Sequence, residues 1–301
     1  MLRQIGICPT DRPDKAPTGD LIKRATRHLT EEGFAVRVLS PSEVIPDEDP
    51  DRLYLTDDPK IAATLTERNA KVVGFLHDGN RQESFHGLKF VFDGIDEVEG
   101  DSFRKAWERL SGLPWTILRT ERLFVRETTL EDVDAFYHIY REPGMTEFQE
   151  GLFADPEDER KYLSDYITNV YGLMGFGVWT VIKRDTGEII GRAGYSIRGG
   201  FEDIELGFLI ARPHQRQGYA YEVCEAILKY GREVLMLPKV QALVKEQNEA
   251  SIRLCEKLGF NRAETVRIEE NIYGDRYYGS GAVSFSPARY GDYIRFVKVF
   301  D

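Results

Sequence analysis

From residue 5 to residue 110 short apolar runs alternate with segments of helical period, and at Ser111-Gly112-Leu113-Pro114-Trp115 that alternation stops. This change of pattern constrains the fold most, because strand–helix alternation predicts a parallel sheet covered by helices. Residues 5–8, 34–39, 52–56, 71–76 and 88–92 read as strands. Leu21, Ile22, Ala25 and Leu29 recur at helical spacing, and Gly33 is placed to stop that helix. Asp58 is expected to cap a second helix, with Pro59 in its first turn and Ile61, Ala62 and Leu65 facing inward. A third helix is expected near residues 102–110. The chain has 301 residues, long for one domain, so a first domain over 1–117 and a second over 118–301 are expected.

The second segment has a different rhythm. A strand is expected over 122–127, helices over 130–140 and 156–171, and strands over 178–183 and 189–197. Arg184-Asp185-Thr186-Gly187 joins the last two as a hairpin turn. A strand over 203–210, a helix over 219–230, a strand over 240–245 and a helix over 249–258 follow, and the last forty residues suggest two more strands.

Charge and composition exclude several classes of function. The formal net charge of −11 argues against a broad nucleic-acid surface, which needs clustered Lys and Arg. No apolar run approaches the roughly 18–20 residues that span a bilayer. Met1-Leu2-Arg3-Gln4-Ile5-Gly6 lacks the apolar core of a signal peptide, so a cytoplasmic protein is expected. Cys8, Cys224 and Cys255 cannot all pair within one chain and read as buried thiols. His77 and His86 near Asp78 match no common metal spacing and read as exposed loop histidines, so no metal is expected.

The stretch from Glu205 to Ala220 carries the chemistry. A strand, Glu205-Leu206-Gly207-Phe208-Leu209-Ile210, leads through Ala211-Arg212-Pro213-His214-Gln215-Arg216-Gln217-Gly218 into a helix. In that helix Ala220, Val223, Cys224, Ile227 and Leu228 hold one face. Gly218 and Ala220 are small enough for a ligand to approach the backbone, and free N–H groups at a helix start suit a pyrophosphate. Taken alone, the same residues also describe an ordinary strand–helix turn. No G-x-x-x-x-G-K-[ST] run is present, and Gly175-Phe176-Gly177 lacks the third glycine of a dinucleotide loop.

Gln215-Arg216-Gln217-Gly218-Tyr219-Ala220 resembles the Q/R-x-x-G-x-G/A signature of GNAT acetyltransferases. Asn248-Glu249-Ala250-Ser251 and Glu256-Lys257-Leu258-Gly259-Phe260 resemble that superfamily's N-x-x-S…E-K-L-G-F segment. Glu121 to Glu127 followed by Leu130-Glu131-Asp132 looks like its first strand and helix start, and the resemblance spans about residues 119–285. The branch it is most similar to is the RimJ/RimL-like one, the ribosomal-protein N-terminal acetyltransferases. The resemblance implies an α+β domain with a mixed, mostly antiparallel sheet, holding acetyl-CoA through Gln215, Arg216, Gln217, Gly218, Tyr219 and Ala220. It further implies that the Leu209 and Ile210 backbone pairs with the pantetheine arm, and that Asn248 and Ser251 contact it. Asn248 also reads as a helix N-cap and Gly259 as a C-terminal stop.

Such a fold would acetylate a primary amine, on a protein N-terminus or a small molecule. Glu205 is either the general base or an ordinary strand carboxylate, and an amide near Leu209 could polarise the carbonyl. Many members carry a Tyr as general acid where this chain has Cys255, which leaves Ser251 or water for that role. Tyr137, Tyr140, Phe148, Trp179, Tyr195 and residues 172–177 are candidates for an acceptor site or for plain core. The alternative is a non-catalytic acetyl-CoA sensor. The first 115 residues resemble a Rossmann-like haloacid-dehalogenase (HAD-like) domain, with Asp57 and Asp58 in its late acidic motif. The D-x-D nucleophile motif is missing, so that domain is expected to be non-catalytic.

Overall fold

The computed structural model describes residues 1–14, 16–43, 50–270 and 289–300. They form two compact units, Met1–Trp115 and Thr116–Asp301. The part of the family resemblance that falls on residues 271–285 lies outside the described residues.

In the first unit β1 (Gln4–Cys8), β2 (Ala35–Val38), β3 (Arg52–Thr56), β4 (Val72–Leu76) and β5 (Val91–Asp93) pair in parallel, in the order β2-β1-β3-β4-β5. Helices α1 (Gly19–Glu31), α2 (Pro59–Glu67) and α3 (Gly100–Leu110) accompany them. The Asp58 carboxylate accepts from the Lys60 N–H at 2.7 Å, the cap read from the sequence. Gly33 follows α1 at φ +90°, a conformation open to glycine at little cost. Ile5, Ile7, Leu53, Leu55, Val73 and Phe75 face one apolar cluster and Cys8, Tyr54 and Val72 another, so the strands are apolar on both faces, as a doubly covered parallel sheet requires. His77 corrects the sequence reading. Its side chain is buried, with Nε2 3.2 Å from Oδ2 of Asp57, whereas His86 is exposed.

The second unit opens with β6 (Thr116–Arg119), a strand too short to show in the sequence, and β7 (Leu123–Arg126). A capping box at Thr129 and Asp132 starts a short turn into α4 (Val133–Tyr140). The single helix expected over 156–171 is instead α5 (Pro156–Tyr166), a π-type turn (Ile167–Tyr171) and the short α6 (Gly172–Met174). Then follow β8 (Val178–Lys183), β9 (Ile189–Ser196), β10 (Glu205–Ile210), α7 (Tyr219–Glu233), β11 (Lys239–Lys245), α8 (Glu249–Lys257), β12 (Asn261–Glu269) and β13 (Tyr290–Val299). The described strands form one sheet in the order β12-β13-β11-β10-β9-β8-β7-β6, antiparallel everywhere except between β10 and β11.

The α7 helix packs its Val223, Cys224, Ile227, Leu228 and Gly231 face inward. The buried Tyr195 of β9 donates its hydroxyl to the Ile227 carbonyl at 2.9 Å. A Cβ on Gly231 would stand 2.2 Å from that hydroxyl oxygen. Helix propensity alone favours alanine over glycine by about 1 kcal/mol. Overpacking of about 1–3 kcal/mol should prevail, so Gly231→Ala is expected to lower stability in urea unfolding. Unchanged or higher stability would mean that Tyr195 can swing clear.

Candidate active site

The site begins where β10 and β11 part. They pair in parallel at one position, Glu205 opposite Gln241, and then diverge. β10 stays bonded to β9 along its whole length, and β11 to β13 along its own. At the base of the fork the buried Gln241 receives the Arg295 Nε–H at 2.7 Å and donates its Nε2 to the Asp203 carbonyl at 3.0 Å. The Asp203 carboxylate, buried in its turn, is bridged by Arg295 at 2.6 Å and Lys239 at 2.8 Å. The arms enclose a cleft of about 1360 Å³, lined by β10, the loop after it, β11, α8 and residues 143–153.

The backbone edge facing the fork differs from expectation by one residue. Ala211 donates to the Ile190 carbonyl on β9 at 2.7 Å, and an added Cβ on Gly191 would touch the Leu209 carbonyl oxygen. Antiparallel pairing alternates the direction of successive peptide groups, so Leu209 turns its amide to β9. Phe208 and Ile210 present theirs to the fork, and the Ile210 carbonyl there accepts from Gln215 Nε2 at 2.9 Å. Leu209 lines the cleft with its backbone polar groups turned toward β9.

Beyond β10, Pro213 sits in a tight turn (Arg212–His214), Arg216 adopts φ +59° and Gly218 φ +87°. Gly218 starts α7 with no side-chain cap, and the Tyr219, Ala220 and Tyr221 amides find no acceptor among the described residues. Arg216 stands on the cleft wall without a described ion pair. From behind, Arg122 holds the turn: its Nη1 donates to the Gln217 carbonyl at 3.0 Å, and Glu222 pairs with its guanidinium at 2.6 Å. A helix start with open amides and a free cation is an anion site.

Glu205 lies at the base of the fork, opposite Gln241, mostly buried, with Arg198 Nε 3.2 Å from Oε2. Burial pushes its carboxyl above the usual range, and the Arg198 charge opposes that rise only in part. Asn248 caps α8 by accepting from the Ser251 N–H at 3.1 Å, and both residues line the cleft. Cys255 is buried in α8 away from the cleft, and burial pushes its thiol up to about 12.

A family model for the acetyltransferase (GNAT) domain matches residues 122–261. "Uncharacterized protein YkkB" of Bacillus subtilis is 32% identical over 158 residues, covering 50% of this chain and 89% of YkkB. The chain belongs to the GNAT acetyltransferase family. "Uncharacterized N-acetyltransferase YoaA" of Bacillus subtilis is 29% identical over 152 residues, 50% of this chain and 86% of YoaA. The GNAT-family acetyltransferase structure from Bacillus anthracis covers 60% of this chain and 97% of its own at 22% identity, with a TM-score of 0.45. The protein is accordingly an acyltransferase of the N-acetyltransferase type.

In this acetyltransferase Leu209, Ile210, Gln215, Arg216, Gly218, Ala220, Asn248, Ser251 and Glu205 come together on the cleft. The side chains of Gln217 and Tyr219 do not: Gln217 folds back onto the Pro213 carbonyl, and Tyr219 packs inward beneath the Arg122 guanidinium. Of the proposed acceptor aromatics Tyr140 and Phe148 line the cleft. Trp179 and Tyr195 are core residues at 0% exposure, the Tyr137 hydroxyl is spent on the Phe153 carbonyl, and residues 172–177 lie off the cleft. Sequence reading missed Arg122, Arg192, Arg198, Asp203, Gln241 and Arg295, whose partners come from distant strands. Asp203→Ala is expected to destabilise the acetyltransferase by about 1–3 kcal/mol, because Arg295 and Lys239 lose the buried carboxylate they share. Chemical denaturation checks this, and a loss under 1 kcal/mol would show that the base of the fork is held otherwise.

Proposed function

We propose that this protein transfers an acetyl group from acetyl-CoA to a primary amine, on a small molecule or a protein N-terminus. The observation that carries this reading is the fork, with its open Phe208 and Ile210 amide N–H groups leading to the uncapped start of α7. The residues fit the cofactor. An extended pantetheine arm matches a free strand edge, and a pyrophosphate matches the Tyr219, Ala220 and Tyr221 amides with Arg216 beside them. Acetyl-CoA, when bound, supplies an activated acetyl thioester. Glu205 would take the proton that an acceptor ammonium must lose before its lone pair can attack. The amides facing the fork would donate to the carbonyl oxygen as negative charge develops on it. Ser251 or a water would return a proton to the sulfur, because the Cys255 thiol is too buried to do so.

The buried Cys255 also favours a second reading, a non-catalytic acetyl-CoA sensor, which binds the cofactor without turnover. The first unit is proposed to be a non-catalytic domain with a HAD-like likeness. Its Asp57 is sealed in by the Thr10 N–H and His77 rather than offered as a nucleophile. Three buried free thiols suit a cytoplasmic setting.

Calorimetry should give micromolar acetyl-CoA binding to the wild type. Gly218→Glu, which puts a side chain at φ +87° and a negative charge at the anion site, should abolish it. Absence of wild-type binding would end the acetyl-CoA reading, and binding without thiol release for any amine would favour the sensor. The pH profile tests Glu205. The base must be deprotonated and burial raises its pKa, so the acid limb of kcat/KM should lie above the ordinary glutamate range. Arg198→Ala removes the opposing charge and should move that limb to higher pH. Glu205→Gln should remove the limb and lower kcat by about 10²–10⁴-fold.

A further inference from the structure

Arg192 on β9 is a cation with no direct ion pair among the described residues. It makes no hydrogen bond or ion pair with the described residues, and its Nε is fully buried without an acceptor. Its guanidinium lies 4.7 Å over the ring of Phe136, on α4, and reaches the cleft wall. Among the phenols around it, Tyr171 donates to the Val178 carbonyl and Tyr166 accepts from the Val178 N–H, while Tyr140, on the same cleft wall, shares no described hydrogen bond with it. Glu159 feels the guanidinium's charge, yet no ion pair joins them, and its Oε2 accepts from the Phe153 N–H at 3.1 Å. A guanidinium Nε–H withdrawn from water without an acceptor costs free energy that cation–π contact only partly offsets. An anion brought by a ligand removes that cost.

The sheet register says where such an anion would sit. Arg192 stands directly opposite Leu209, so both share a face with Gly207 and Glu205. A Cβ on Gly207 would meet nothing within 4 Å, leaving open floor between the carboxylate and the guanidinium. Glu205 and Leu209 are four residues apart on β10, about 13 Å along the strand. We infer that the acceptor is an amine that also carries a carboxylate several bonds away, the amine meeting Glu205 and the carboxylate forking onto Arg192. A planar single charge matches the guanidinium fork, and Glu159 on the same wall opposes the second charge of a phosphate.

This inference rests on the acetyl-transfer reading, and the two can fail separately. The probes are 6-aminohexanoate, its carboxamide and 6-aminohexyl phosphate. They are offered to the wild-type protein with acetyl-CoA and followed by thiol release, and by calorimetric binding to the CoA-loaded protein. The carboxylate should exceed both others at least tenfold in kcat/KM or affinity. In Arg192→Gln the preference should fall to within twofold, while Arg192→Lys, keeping charge without the fork, should fall between. A wild type that treats carboxylate and carboxamide alike, prefers the phosphate, or binds none of the three overturns the inference with acetyl-CoA binding intact. A wild type that does not bind acetyl-CoA brings down both readings.

Discussion

The Asp203–Gln241–Arg295 knot at the root of the fork is the constraint on which the rest of the second unit depends. A parallel pair flanked by antiparallel neighbours would ordinarily zip along its length, closing the sheet. Here β10 and β11 are each bonded fully on their outer side, to β9 and β13, and to each other at a single position. The knot joins them just there, with Gln241 bridging the Asp203 carbonyl and Arg295, and Arg295 and Lys239 neutralising the buried Asp203. Buried charges cost less free energy when paired and hydrogen-bonded, so the satisfied knot fixes where divergence starts. Divergence then opens the cleft and leaves the β10 peptide edge without a partner strand.

The far end of the cleft is set by a second cross-chain clasp. Arg122, at the start of β7, grips the Gln217 carbonyl and is itself gripped by Glu222 in the first turn of α7. The turn must hold Arg216 and Gly218 at positive φ, a conformation that a non-glycine residue adopts at some cost. A guanidinium pulling on the peptide between them offsets that cost, and it acts from behind, leaving the cleft face of the turn open. The fork and the turn are thus two ends of one groove, and each end is pinned by an arginine from a strand distant in sequence.

Much of this was legible in the sequence because it is local. The Asp58 cap, the Gly33 stop, the Asn248 cap and the Gly218 turn depend on residues within a few positions of one another, and each stands where its motif put it. What the sequence hid is non-local. The register of β10 against β9 turned the Leu209 amide away from the cleft and put Phe208 and Ile210 in its place, a shift that period-two patterning cannot reveal. His77 reads as a loop residue until β3 brings Asp57 beside it. Trp179 and Tyr195 are aromatic in the way acceptor pockets often are, yet they pack against Tyr230 and Ile227 on the helix-α7 face. Arg192 and Asp203 carry no motif at all, since an arginine or aspartate in a strand region reads as solvated surface until its neighbours are known.

The distribution of satisfied and unsatisfied polar groups separates scaffold from site. Natural structures pair nearly every buried polar group, so an unpaired one asks for an explanation. The knot around Asp203 is fully paired, as is the Arg126–Asp132–Thr180 cluster beneath α4, where Asp132 takes both Arg126 nitrogens at 2.7 Å and the Thr180 hydroxyl at 2.8 Å. Both clusters hold strands and helices in place and have nothing left to offer a ligand. The open groups lie elsewhere: the Phe208 and Ile210 amides, the Tyr219 to Tyr221 amides, and the Arg192 Nε, all along one cleft. Trp179 Nε1 in the core and Ser111 Oγ at the end of α3 are also unpaired, and we have no physical account of either. The remaining open groups all fall along the cleft of the second unit. Their alignment from anion site to strand edge to buried cation traces the outline of a bound pair of substrates, the cofactor along the first two and the acceptor toward the third.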